Sequence, residues 1–188
     1  MTSDRLAIFG RDGVLFLADT GLIPDPEVGD LASIAAETGM LAYHHMGRRV
    51  RVAMLSHSNH GSSRSDSALR MVAATAAARE KVSLDECVID GEIQLDVALD
   101  PEVGPRKLPA ISRSERADVL VFPSLDAAHI SSKILRHLGG AECYGKLIRG
   151  LTRPAAQVPR TATEDMILGT AAALGVEAIQ YRLLYPKG

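Results

Sequence analysis

Ser58, Gly61, Ser62 and Ser63 sit in the stretch VAMLSHSNHGSSRSDSALR, residues 52–70, where an apolar run breaks into small hydrogen-bonding residues. Hydroxyls and backbone N–H groups between a strand and a helix could grip an anion, with the helix N-terminus adding its dipole. An ordinary solvated connection with a capping serine is the plain alternative. Arg160, just ahead of a predicted terminal helix, could pair with phosphate through its two-pronged guanidinium. A surface arginine would have the same local sequence. His57 and His60 lack a third ligand nearby, so no metal site is expected. Cys87 and Cys143 form no CxxC pair, and Cys143 reads as a small core residue.

Positioning these groups requires alternating strands and helices. Residues 5–19 hold two short apolar runs around Gly10-Arg11-Asp12-Gly13, the pattern of a β-hairpin. Leu31, Ile34, Ala35, Thr38, Leu41, Ala42 and His45 recur at helical spacing, with Pro26 near the start and Gly47 as a stop. Residues 50–55 and 118–123 read as buried parallel strands. Asp66 or Ser67 could cap the helix between them. CVIDGEIQLDVALD, residues 87–100, reads as an interrupted strand, and 100–117 as a loop. A helix follows Ser124 and ends at Gly139-Gly140, then a strand covers 142–151. Thr161 or Thr163 caps the last helix, which carries Ile167, Ala171, Leu174, Ala178, Tyr181 and Tyr185 at steps of four and three. Such a stripe fits packing against a second helix, including one from another subunit. The alternation predicts an α/β fold, a layered α/β/α sandwich with a mostly parallel sheet. In such sheets ligands bind beyond the carboxyl ends of the strands.

Composition bounds the function. The 188 residues are 46% hydrophobic, 23% charged and 4% aromatic, with no Trp, so Leu, Ile, Val and Ala must build the core. A formal charge of −2 without a basic block argues against a nucleic-acid partner. No signal peptide and no run of about 18 apolar residues is present, so no membrane partner is expected and a cytoplasmic location is.

Four stretches carry a resemblance: VAMLSHSNHGSS, DGEIQLDVAL, DVLVFPSLDAAHISSKIL and GKLIRGLTRPAAQVPRTATEDMI. In order and spacing they resemble the phosphate acetyltransferase and butyryltransferase family. Their wording is similar to the family member fused to the C-terminus of NADP-dependent malic enzymes. The resemblance implies an isocitrate/isopropylmalate dehydrogenase-like sandwich. Residues 1–188 would be the C-terminal part of a two-lobed domain, with N-terminal lobe material missing.

It also implies a site. Ser58, Gly61, Ser62 and Ser63 match the family's small-residue loop, Asp96 the Asp of its GELQ segment, and Lys133 the Lys after its FP-L-A-I segment. Arg160 matches the Arg of a Ser-Arg pair that contributes to catalysis and CoA binding. Asp165 takes the place of a downstream Asp if one residue is deleted. Pro159 replaces the Ser of the pair, and His129 and Ser132 replace an Asn and a Tyr. These departures imply a non-catalytic acetyl-CoA-binding regulatory and oligomerisation domain of a malic enzyme, whose NADP and divalent metal would sit in a missing region. Homo-oligomers would form through the C-terminal helix. The alternative is an active phosphate acetyltransferase, with Asp165 and Arg160 catalytic.

Overall fold

The computed structural model describes residues 2–10, 13–108 and 115–184. The expected Tyr185 of the terminal stripe, and Arg11 and Asp12 of the hairpin turn, lie outside them.

Seven strands form one sheet. They are β1 (Ser3–Gly10), β2 (Gly13–Ala18), β3 (Val50–Leu55), β4 (Cys87–Ile93), β5 (Val119–Val121), β6 (Glu142–Arg149) and β7 (Ala155–Ala156), in the order β4-β3-β5-β2-β1-β6-β7. The hairpin pairs Gly10 with Gly13. Parallel pairing joins β2 to β5, β5 to β3 and β3 to β4. Antiparallel pairing joins β1 to β2, β1 to β6 and β6 to β7. The sheet is therefore mixed, a correction to the mostly parallel one expected. The cause is the hairpin: β1 runs against both its neighbours.

Side chains alternate between two faces, as strand geometry demands. Phe16, Ala18, Val52, Met54, Val119 and Val121 point to one core. That core is closed by the helices α1 (Val28–Met46), α2 (Asp66–Arg79) and α6 (Glu164–Leu184). Leu15, Leu17, Ala53, Leu55 and Leu120 point to the other, under α3 (Leu95–Leu99), α4 (Val103–Lys107) and α5 (Leu125–His137). Helices thus cover both faces.

Local chemistry fixes the helix ends. The Asp30 carboxylate accepts the Glu27 backbone N–H at 3.0 Å, and α1 stops at Gly47, whose φ of 63° suits a residue without Cβ. Ser65, not Asp66 or Ser67, caps α2 by accepting Ala68 N–H at 3.3 Å. Ser124 accepts Ala127 N–H at 3.4 Å, and Thr163 accepts Met166 N–H at 3.3 Å. The segment expected as one strand over 87–100 turns at Gln94 into α3, because Val97 and Ala98 bury on the second core three residues beyond the sheet edge. Among the described residues, no helix is long and apolar enough to cross a membrane.

Candidate active site

The carboxyl ends of β2, β3, β4 and β5 share one edge of the sheet, and the 56–65 loop lies there. Its organising atom is the carboxylate of Glu92, a residue 1% exposed at the end of β4. Oε1 of Glu92 accepts Ser58 Oγ–H at 2.7 Å and Gly61 N–H at 2.7 Å, while its backbone carbonyl accepts His60 N–H at 2.9 Å. His60 and Gly61 take left-handed φ angles of 43° and 87° to make that turn. The other loop donors also turn inward. Ser58 N–H meets Ser56 Oγ, Asn59 N–H meets Ser62 Oγ, Ser62 N–H meets the Asn59 carbonyl and Ser63 N–H meets Ser58 Oγ. Every backbone N–H from Ser58 to Ser63 is thus occupied within the loop or by Glu92. The backbone donors expected for a bound anion face a buried carboxylate instead. Side chains remain at the surface: His57 Nε2 lies 3.1 Å from Ser63 Oγ and 3.3 Å from Ser65 Oγ.

A second concavity lies further along the sheet, where α5 passes over β6. It measures about 210 Å³ and is lined by His129, Lys133, Arg136, Lys146, Pro159 and Met166. Among the described residues no Asp or Glu lines it. Such a volume suits a phosphate or an acetyl group and is below the ~300 Å³ at which whole-ligand pockets begin. Cys143 closes one side, its thiol pushed up by burial and thus protonated and inert. Lys133 is exposed and forms no hydrogen bond or ion pair among the described residues.

Behind the cavity sits a carboxylate pair. Asp4 is buried; its Oδ1 accepts Thr20 N–H at 2.7 Å and Thr20 Oγ–H at 2.8 Å, and its Oδ2 pairs with Lys146 Nζ at 3.2 Å. Asp19 accepts N–H groups of Gly21, Leu22 and Ile23 at 3.0–3.2 Å. Burial first, and then the Asp4 charge, push the Asp19 carboxyl up to about 6.

The remaining predicted residues are spread along this edge. Arg160 is exposed in the turn before α6, next to the cavity-lining Pro159, and makes no hydrogen bond or ion pair among the described residues. Asp165 is exposed in the first turn of α6. Asp96 lies in the first turn of α3, where Lys107 Nζ at 2.5 Å holds its carboxyl below the usual range. Lys133 and the Pro159-Arg160 turn are brought together. Ser62 follows β3 and Arg160 follows β7, two strands that are not neighbours in the sheet. Sequence patterning missed Glu92, Asp4, Asp19 and Lys146. Only the mixed polar and apolar residues of DGEIQ hinted at Glu92, and nothing local marked the others. Among the described residues no group of three His, Cys, Asp or Glu could hold a metal ion.

Residues 1–174 match the family model described as phosphate acetyl/butaryl transferase. The phosphate acetyltransferase of Acetivibrio thermocellus is 37% identical over 170 residues, which cover 90% of this chain and 51% of that protein. The phosphate acetyltransferase of Staphylococcus epidermidis is 34% identical over 182 residues, covering 95% and 55%. Among solved structures, the EutD phosphotransacetylase from Staphylococcus aureus superposes with a TM-score of 0.85 at 32% identity, covering 96% of this chain and 54% of that one. The chain thus spans about half the length of the curated relatives it matches. These relatives overturn the expected malic-enzyme regulatory domain: they are named as phosphate acetyltransferases, and nothing in them supports an NADP and divalent-metal region.

Proposed function

We propose, for a chain that belongs to the phosphate acetyl/butaryl transferase family, that its protein transfers an acetyl group between coenzyme A and inorganic phosphate. The observation that carries this reading is the carboxylate-free basic cavity under α5, lined by Lys133 and Pro159, which come from two segments that the family match spans. A phosphate oxygen attacks the thioester carbonyl carbon, the C–O bond forms, and collapse of the tetrahedral intermediate breaks the C–S bond. The products are acetyl phosphate and the CoA thiolate, which then takes a proton. Lys133 and Arg160 would neutralise the phosphate and the developing oxyanion. Asp165 would carry the proton to or from the thiol, as a carboxylate can at a site that also orders both reactants. The Ser58–Ser63 loop, including Gly61 and Ser62, and the Asp96–Lys107 pair flank the same edge. There the Ser62 and Ser63 hydroxyls and the Asp96–Lys107 pair would meet the longer arm of the CoA carrier. Pro159 supplies no hydroxyl, so positioning by Lys133 and Arg160 must do more of the work.

The isocitrate/isopropylmalate dehydrogenase-like kinship, the second lobe and the cytoplasmic location belong to the same reading. So does pairing of two copies through α6, whose Leu168, Ile179 and Leu183 lie 62–71% exposed along one side. Sedimentation of Leu168→Asp/Ile179→Asp as a smaller species than wild type supports that pairing, and an unchanged mass rejects it. The transferase reading is tested by the CoA released from acetyl-CoA when phosphate is added. Release that needs phosphate and falls in Lys133→Ala supports it; release indifferent to phosphate rejects it.

A further inference from the structure

The opposite end of the sheet carries a larger basic cavity that acetyl transfer does not use. It measures about 1000 Å³ and lies at the amino-terminal ends of β2, β3, β4 and β5. Arg48, Arg49, Arg51 and Arg116 line it, with Glu115 and Asp118 as its carboxylates among the described residues. Asp118 is already saturated. Its oxygens accept Arg48 Nη2–H at 2.6 Å, Arg48 Nη1–H at 3.2 Å and Arg51 N–H at 2.9 Å. Glu115 is mostly exposed and stands 3.6 Å from Arg51. With Arg48 held by Asp118 and Arg51 near Glu115, the Arg49 guanidinium adds a positive charge that neither of these carboxylates engages. The Arg49 carbonyl accepts Arg48 Nη1–H at 3.0 Å, while the Arg49 side chain is exposed and forms no hydrogen bond or ion pair among the described residues.

The cluster is held rigidly. Gly47 ends α1 with its N–H on the Tyr43 carbonyl at 2.9 Å, and β3 begins at Val50, so Arg48 and Arg49 sit in a two-residue span fixed at both ends. Asp118, at the entry to β5, holds the Arg48 side chain and the Arg51 backbone together. Met46 and Val88 add apolar surface to the wall. Like charges gathered on a fixed frame repel one another, and a bound anion relieves that repulsion. Planar guanidinium groups match phosphate oxygens in pairs. A volume near 1000 Å³ holds more than a single phosphate, at the upper end of common ligand pockets.

We propose that this cavity binds a nucleoside diphosphate or triphosphate, with phosphates on Arg49 and Arg51 and the base against Met46 and Val88. Strand β3 runs six residues between the two ends, about 20 Å. A nucleotide here is therefore separate from the acetyl-transfer cavity, and its binding does not depend on the transferase reading.

The test is calorimetric titration of the protein as its gene encodes it with ADP, inorganic pyrophosphate and adenosine. ADP is expected to bind saturably, pyrophosphate more weakly and adenosine not at all. Arg49→Ala/Arg51→Ala is expected to weaken ADP at least ten-fold, whereas Lys133→Ala, at the other end, leaves it unchanged. Arg49→Glu alone, at an exposed position, is expected to weaken ADP too and guards against misfolding of the double variant. Absence of saturable ADP binding, affinity indifferent to both arginine variants, or loss of ADP binding in Lys133→Ala would overturn the assignment.

Discussion

Ser58 and Glu92, thirty-four residues apart, share a buried hydrogen bond of 2.7 Å, and Gly61 N–H lies on the same carboxylate oxygen. This contact sets the shape of the serine-rich loop. Removing the carboxylate in Glu92→Ala leaves the Gly61 N–H without an acceptor and the Ser58 hydroxyl with only Ser62 Oγ, at 3.1 Å, within reach, at a cost of about 1–3 kcal/mol. Glu92→Gln keeps an acceptor and should cost less. Urea midpoints rank the two, and hydrogen exchange over residues 56–65 should quicken in the alanine variant first.

Asp118 and Arg48 form an unequal pair. The Asp118 side chain is 10% exposed and the Arg48 side chain 56%. Arg48→Ala leaves Asp118 with the Arg51 N–H and partial access to water, and is expected to lose less than about 1 kcal/mol. Asp118→Ala leaves the Arg51 N–H without its acceptor and should lose more, about 1–3 kcal/mol, while the half-exposed Arg48 guanidinium keeps the Arg49 carbonyl. Thermal denaturation of both variants checks the order.

The Asp19 carboxyl is pushed up to about 6 from an ordinary value of 3.8. The folded chain therefore binds the Asp19 proton more tightly than the unfolded chain does. Its stabilising contribution is full below about pH 3.8 and declines as pH rises to about 6, beyond which it is flat. At about 1.4 kcal/mol per unit, the decline is on the order of 3 kcal/mol. Asp19→Asn removes this titration, so the difference in unfolding free energy between wild type and variant should slope between pH 4 and 6 only. A difference independent of pH would reject the raised value.

Much of this architecture was legible locally. The stripe Leu31, Ile34, Ala35, Leu41 and Ala42 has one helical period and buries as one face of α1. The apolar runs at 50–55 and 118–123 became β3 and β5 because both their faces are covered. Helix α3 was not legible: five residues are too few to display a helical period, and Ile93, Leu95 and Val97 alternate like a strand. Glu92 was hidden for a different reason. A carboxylate in a mixed segment reads as solvent-facing, and its burial depends on a loop that returns from β3. Strand order, which no local pattern encodes, sets β3, ahead of the serine loop, and β7, ahead of the Pro159-Arg160 turn, at non-adjacent places in the sheet.

The Pro159-Arg160 turn concentrates what is distinctive in the candidate site. A single guanidinium stands beside the basic cavity, with Pro159 in place of the Ser that the resemblance pairs with it. Acetyl phosphate produced from acetyl-CoA and phosphate, by the protein as its gene encodes it, is the most direct measurement of what this edge of the sheet does. Turnover is predicted, with a loss of about 10²–10³-fold in Arg160→Ala. Acetyl-CoA left intact in the presence of phosphate, or turnover unchanged by Arg160→Ala, would contradict the assignment.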